Sequence, residues 1–299
     1  MSASSPAAAR GSLGGVRAFG SLVAFSHTVF ALPFAASAVV LALSVPHAPL
    51  SWGRALAMLG CMVSARTAAM AFNRYLDRHI DAKNPRTAGR EIPAGVVSPA
   101  AALGLTLGCS AAFVALAAAL GPACGALSPL VLAVLLGYSY TKRFTWAAHL
   151  VLGLALALAP GGAWLAMGAA PNAAIVSLML AVLTWVAGFD VLYSLQDEAF
   201  DRGEGLHSIP ARFGTLGAVA ISAALHVVTV AAMALAGALL ARGAFFFVGT
   251  AAIAALLVYE HAIVGRGNLA RIDRAFFTVN GYVSVLFFAL TLLDALRAG

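Results

Sequence analysis

Eight of the eleven acidic residues in this 299-residue chain fall in two short windows. One holds Asp77, Asp81 and Glu91, and the other holds Asp190, Asp197, Glu198, Asp201 and Glu204. Like charges repel, so carboxylates gathered in two places point to a cation between them, whereas a solvated loop has no reason to collect them. In the first window Asn73, Asp77 and Asp81 recur every four residues. At about 100° per residue a helix sets all three on one face, drifting by about 40° per step. In the second, Asp190, Tyr193, Asp197 and Asp201 share a face in the same way. Oxygen ligands on two facing helices, without His or Cys beside them, suit a hard cation such as Mg²⁺, which keeps several waters and bridges carboxylates to phosphate oxygens. Two such clusters with two Mg²⁺ ions between them would cradle a diphosphate. The plainer reading, helix-end capping and solvated loops, needs one residue per helix end and not three in register.

Cations stand where that ligand needs them. Lys142, one of two lysines, ends an apolar run in Tyr138-Ser139-Tyr140-Thr141-Lys142-Arg143. It is placed either to meet phosphate or to snorkel to the membrane interface. Arg66 lies inside an apolar segment, about two turns before Asn73 on the same face. An intramembrane arginine is paired and functional by default, here in the site or in a structural ion pair. The most polar stretch, Lys83 to Gly95, carries Arg86, Arg90, Glu91 and Pro93, and its counterpart, Arg202 to Gly214, carries His207, Ser208 and Arg212. Following the two acid clusters directly, these loops are expected to fold over the site as caps that exclude water.

The elements that must position these groups are apolar. The chain is 62% hydrophobic and 10% charged, against about 45–50% and about 25% in soluble domains, which excludes an ordinary water-soluble enzyme. Segments near 21–45, 54–76, 99–120, 125–141, 147–167, 173–196, 216–241, 244–264 and 275–296 predict a nine-transmembrane-helix, all-α bundle in the lipid bilayer, since none alternates with period two. Pro33, Pro129 and Pro160 mark kinks or span ends. Residues 1–20, small and rich in Ser, Ala and Gly, read as a disordered lead-in to a single nine-helix domain over 21–299. Ala36-Ser37-Ala38 has the small-residue pattern of a signal-peptidase site, yet the apolar run continues to Val45, so the first segment reads as a retained span.

With the N-terminus inside, fourteen of the eighteen Lys and Arg residues fall on one side and only Arg54, Arg242 and Arg297 on the other. This places the N-terminus and the acid-bearing face in the cytoplasm of a bacterial-type inner membrane, and explains the net charge of +7 without any nucleic acid. Cys61, Cys109 and Cys124 are widely spaced and read as small core residues.

Over essentially its whole length the sequence resembles the UbiA superfamily of intramembrane prenyltransferases. The carriers are the N-x-x-x-D-x-x-x-D run at Asn73, Asp77 and Asp81, the second Asp motif at Asp190, Asp197 and Asp201, the Y-x-x-x-K element at Tyr138 and Lys142, and the span count. The resemblance implies that Asn73, Asp77, Asp81, Asp197 and Asp201 hold two Mg²⁺ ions on a polyprenyl diphosphate, with Lys142 and Arg66 on phosphate. It further implies that Asp190 orients or deprotonates the acceptor and that the prenyl tail leaves through a lateral opening toward lipid. Phe25 to Phe34, Asn84 to Arg90 and Gly205 to Pro210 are most similar to the 4-hydroxybenzoate polyprenyltransferase-like branch, which includes enzymes of the futalosine route to menaquinone. Gln196 and the Asp197–Asp201 spacing depart from the usual ubiquinone-pathway pattern and leave the small aromatic acid acceptor open between 4-hydroxybenzoate and 1,4-dihydroxy-6-naphthoate.

The expected chemistry follows. Mg²⁺ and the cations Lys142, Arg143, Arg86, Arg90 and Arg66 stabilise the departing diphosphate, and an electron-rich ring attacks the allylic cation in a cavity kept dry. Asn73 and Tyr138 complete the substrate-binding set, and Tyr193 offers a ring face to the cation or is an interfacial aromatic. His27 and Phe30 stand as acceptor-pocket candidates, whereas Glu260 and His261 fit an interface better than catalysis. The rival class is a secondary transporter or cation antiporter, whose site belongs near the bilayer midplane.

Overall fold

Helix-start chemistry recurs along the chain and divides the apolar sequence into a bundle. Ser51, Ser98, Asn172 and Ser208 each accept backbone N–H bonds on their side-chain oxygens at the starts of helices, which satisfies donors no helix can satisfy itself. Pro99, Pro122 and Pro210 follow at first-turn positions, where no N–H is needed. The computed structural model describes residues 28–265, 272 and 275–298. The N-terminal lead-in with Arg10 and Arg17, the start of the first segment, His27, and the loop cations Arg266, Arg271 and Arg274 lie outside the described residues, as does the side chain of Phe30.

The helices are α1 (Thr28–Ala42), α2 (Trp52–Lys83), α3 (Pro99–Leu120), α4 (Pro122–Thr141), α5 (Ala148–Ala166), α6 (Ala173–Tyr193), a short α7 (Glu198–Gly203), α8 (Ile209–Leu239), α9 (Ala244–Val264) and α10 (Asn280–Ala298). No strand occurs among the described residues. Among the described residues, eight helical stretches are long and apolar enough to cross a membrane, and Ala31–Ala42 in α1 is a shorter apolar helix. The chain is a multi-pass membrane protein. Large apolar side chains such as Trp52, Leu107, Leu130 and Val258 face outward, which suits lipid and not water.

Two departures from the sequence pattern shape the site. The 32 residues of α2 rise about 48 Å, well beyond a hydrocarbon core of about 30 Å. Its last turns therefore carry Asn73, Asp77 and Asp81 past the apolar part of the bundle. The second acid run does not stay on one helix face. After Tyr193 the chain tightens into a 3₁₀ turn, Ser194–Asp197, before α7 begins. Such turns are common at helix C-termini and advance roughly 20° further per residue, so Asp197 and Asp201 leave the register of Asp190.

The core is an aromatic stack across α1, α6, α9 and α10. The Phe34 ring centroid lies 4.9 Å from Trp185 and 5.1 Å from Phe287, which in turn lies 5.5 Å from Phe246. A polar chain crosses it: Trp185 Nε1 donates to Asn280 Oδ1 at 2.7 Å, and Asn280 Nδ2 donates to Glu260 Oε1 at 2.8 Å. Glu260 is thus buried in the bundle and not at an interface as its position near a span end implied. His261 meets His226 at 3.0 Å. α5 and α6 approach unusually closely: a Cβ on Gly153 would sit 2.3 Å from the Leu183 carbonyl oxygen, so only glycine fits this crossing.

Candidate active site

Asp77 anchors the polar end of the bundle. Its side chain is 1% exposed, and it accepts bonds from Lys142 Nζ at 2.5 Å and Arg143 Nη2 at 2.8 Å. Both cations follow the last turn of α4, so the ion pairs tie α4 to α2. Asn73, one turn before Asp77, donates to its Oδ2 and to Ser139 Oγ, each at 3.3 Å. Asp81, one turn further on, accepts from Arg90 Nη1 at 2.7 Å, and its backbone oxygen accepts from Thr87. The loop after α2 thus folds back on the helix it leaves.

The same loop reaches the second acid cluster. Asn84 Nδ2 donates to Asp197 Oδ1 at 3.0 Å, and Arg86 grips both oxygens of Asp197, with Nε to Oδ1 at 2.9 Å and Nη2 to Oδ2. Arg86 Nη1 also reaches the Tyr193 hydroxyl at 3.3 Å, its guanidinium carbon 5.4 Å from that ring's centroid. Burial pulls the Arg86 guanidinium's pKa down, but its bonds to Asp197 outweigh this and raise it overall. Asp201 lies beside Ser208, and burial pushes its carboxyl above the usual range, opposed by the Ser208 hydrogen bond. Lys83 and Glu204, 2.6 Å apart, join the loops from outside. The backbone N–H of His207 donates to the Lys142 carbonyl at 2.7 Å.

Apart from Arg66 and Asp190, the expected acids and cations are therefore brought to one end, each acid of the ligand set with its own partner. Among the described residues no three His, Cys, Asp or Glu side chains converge to hold a metal ion; Asp77, Asp81 and Asp197 are each paired with lysine or arginine side chains. The donor set nevertheless fits Mg²⁺. It is oxygen-only, and Asp81 Oδ2 is buried without a hydrogen-bond partner, so it keeps an open ligand oxygen of the kind a hard cation takes together with substrate phosphate and water.

A cavity of about 850 Å³ opens beneath these groups. Asn73, Arg90, Tyr138, Tyr193 and Asp190 line its polar end, and Met58, Met62, Leu156, Met179 and Val176 its remainder. From Tyr193 to Val176 along α6 it spans roughly 25 Å at 1.5 Å per residue. Arg66 faces this cavity with its Nε buried and unpartnered. It is eleven residues before Asp77 on α2, roughly 16 Å of helix rise.

Asp190 stands apart from the other acids. Its Oδ2 lies 2.7 Å from Nδ1 of His149, in the first turn of α5. His149 Nε2 in turn accepts from the backbone N–H of Ile209, the first residue of α8, at 3.3 Å. Sequence reasoning missed His149, Asn84 and Ser139. The only signal for His149 was a polar residue at the head of an apolar run, and for Asn84 its position directly after α2.

The family model that matches, described as the UbiA prenyltransferase family, covers residues 30–289. The chain is 32% identical over 231 residues to the 4-hydroxybenzoate octaprenyltransferase of Aromatoleum aromaticum, covering 77% of this chain and 78% of that one. It is 31% identical to the enzyme of that name from Aeromonas hydrophila, with 77% and 80% covered. Among solved structures, the apo form of a UbiA homolog from Aeropyrum pernix K1 superposes with a TM-score of 0.81 at 36% identity, covering 90% of this chain and 98% of that one. A UbiA homolog from Archaeoglobus fulgidus, solved bound to GPP and Mg²⁺, shares the fold with a TM-score of 0.74 at 21% identity, with 93% and 99% covered.

Proposed function

Because the chain belongs to the UbiA prenyltransferase family and is a transferase, we propose that it moves a polyprenyl group from polyprenyl diphosphate to an aromatic acid in ubiquinone or menaquinone synthesis. The acceptor is 4-hydroxybenzoate or 1,4-dihydroxy-6-naphthoate, and the names of the curated relatives favour the first. The observation that carries the reading is a long apolar cavity whose polar end, lined by Asn73, Arg90 and Asp190, adjoins the ion pairs of Asp77 and Asp81. That combination fits an amphiphile with a diphosphate head. The transporter alternative places its site near the bilayer midplane, and here the acids of both motifs collect at one end.

Asn73, Asp77, Asp81, Asp197 and Asp201 would hold two Mg²⁺ ions, as the oxygen donor set allows. Bound there, Mg²⁺ supplies positive charge to the diphosphate as it departs. Lys142, Arg143, Arg86 and Arg90 stand in the same cluster to take phosphate oxygens, which binds and orients the donor. The prenyl tail occupies the apolar length of the cavity, which also keeps water from the allylic cation. Tyr138 and the Tyr193 ring border the reaction space. Arg66 stands roughly 16 Å of helix rise before Asp77, and with its Nε buried and unpartnered it suits the carboxylate of the acceptor. Asp190, on the cavity wall, suits the acceptor's hydroxyl. By the distribution of Lys and Arg, the polar end and the N-terminus face the cytoplasm of a bacterial-type inner membrane.

The test is turnover in membranes with Mg²⁺ and a long-chain polyprenyl diphosphate, each acceptor offered separately and product followed by mass spectrometry. Prenylated 4-hydroxybenzoate is the expected product. Prenylated naphthoate alone would move the protein to the menaquinone route, and no product from either would overturn the reading.

A further inference from the structure

We propose that His149 is a positioning residue for the transfer reaction: it fixes the Asp190 carboxylate through one oxygen and leaves the other to the acceptor's hydroxyl. The inference rests on the function proposed above and adds to it a residue that no motif contains.

Three features of the fold set His149 in place. Gly153, one turn along α5, lets that helix touch the backbone of α6 at Leu183, and this close crossing brings the head of α5 to the end of α6. The His149 side chain is buried, 6% exposed, against 24% for Asp190, which lines the cavity. The imidazole is held from both sides, by Asp190 Oδ2 and by the Ile209 N–H. Ile209 opens α8, so its amide is among the donors a helix leaves unsatisfied, and Nε2 provides the acceptor. A proton on Nε2 would face that amide donor to donor. The proton therefore sits on Nδ1, where it donates to Asp190.

That arrangement assigns roles in the proton balance of an aromatic substitution. The C–O bond to diphosphate breaks with its electron pair on oxygen, the new C–C bond takes its pair from the ring, and one proton leaves the acceptor. Asp190 takes that proton from the hydroxyl as the ring attacks, giving a dienone. The ring hydrogen then moves to the dienone oxygen, which restores the aromatic hydroxyl. His149 touches none of the reacting atoms. It keeps the Asp190 carboxylate from rotating, and a base misplaced by about 1 Å costs on the order of 10²-fold in rate.

The experiment compares wild type, His149→Leu and His149→Asn with 4-hydroxybenzoate and with 3-fluoro-4-hydroxybenzoate, whose hydroxyl is more acidic. The leucine variant is expected to lose about tenfold to a hundredfold in kcat with the donor KM unchanged. The asparagine variant, whose amide nitrogen can overlay Nδ1, should recover most of that loss. With the fluorinated acceptor the leucine defect should shrink, because less help is needed to remove the proton. Equal losses for both variants with both acceptors, or no loss in either, would overturn the inference. Should the leucine variant fail to fold, Gly153→Ala, which pushes α5 from α6, is expected to give the same acceptor-dependent loss, and a uniform loss there would count equally against it. A wild-type enzyme that prenylates neither acceptor would instead sink the proposed function on which the inference rests.

Discussion

The two acid clusters meet at one end of the bundle but are held there by different means. Asp77 and Asp81 ride on α2, a continuous helix that runs past the apolar core, and their side chains are 1% and 4% exposed. Asp197 ends a 3₁₀ turn on a broken chain segment, is 17% exposed, and is held by Asn84 and Arg86 from the loop that follows α2. A helix backbone presets the first half of the site, and side chains lent by the first half position the second. The loop after α2 therefore joins the two acid clusters through Asn84 and Arg86.

The sharpest way to break this comparison is to remove the preset half. Asp77→Ala should lower turnover by at least about a hundredfold to a thousandfold, while circular dichroism shows an intact helical protein. Retained activity would remove Asp77 from the site. Next in size is Arg66→Leu. Loss of a charge-assisted bond of about 1.5–3 kcal/mol should raise the acceptor KM on the order of tenfold to a hundredfold and leave donor binding alone. A weakened donor with an unchanged acceptor would move Arg66 to the diphosphate.

Arg86→Ala tests the borrowed half. Donor KM should rise by roughly threefold to tenfold, the loss of a partly exposed charged bond, with thermal stability near wild type. An unchanged donor KM would mean that Asp197 is placed without the loop. The smallest effect belongs to Lys83→Ala. Lys83 is 62% exposed and its bond to Glu204 is screened by solvent, so stability and rate should move by less than about 1 kcal/mol. A large loss would make this outer tie part of the site as well.

Much of the candidate site was legible because local spacing carries it. Asn73, Asp77 and Asp81 stay in register since α2 stays helical, and Lys142 and Arg143 had to follow α4 wherever it ended. What the sequence hid depends on tertiary contact. The break after Tyr193 has no proline or glycine to announce it, so a face drawn through Asp190, Asp197 and Asp201 looked continuous. The carboxylate–cation pairs depend on how the loops fold back. His149 meets a partner 41 residues away through a helix crossing that Gly153 allows, and a lone histidine in an apolar run carries no spacing to reveal it. The burial of Glu260 likewise follows from Asn280 on a different helix.

The claim that most needs testing is that carboxylates from both clusters act together through a divalent cation. The direct measurement is turnover of polyprenyl diphosphate with 4-hydroxybenzoate as Mg²⁺ is titrated against EDTA, in membranes carrying wild type, Asp77→Ala or Asp197→Ala. Wild-type turnover is expected to vanish with EDTA and return with Mg²⁺, and neither variant is expected to respond to Mg²⁺. Turnover that persists in EDTA, or Mg²⁺-dependent turnover at the wild-type level in either variant, would contradict it.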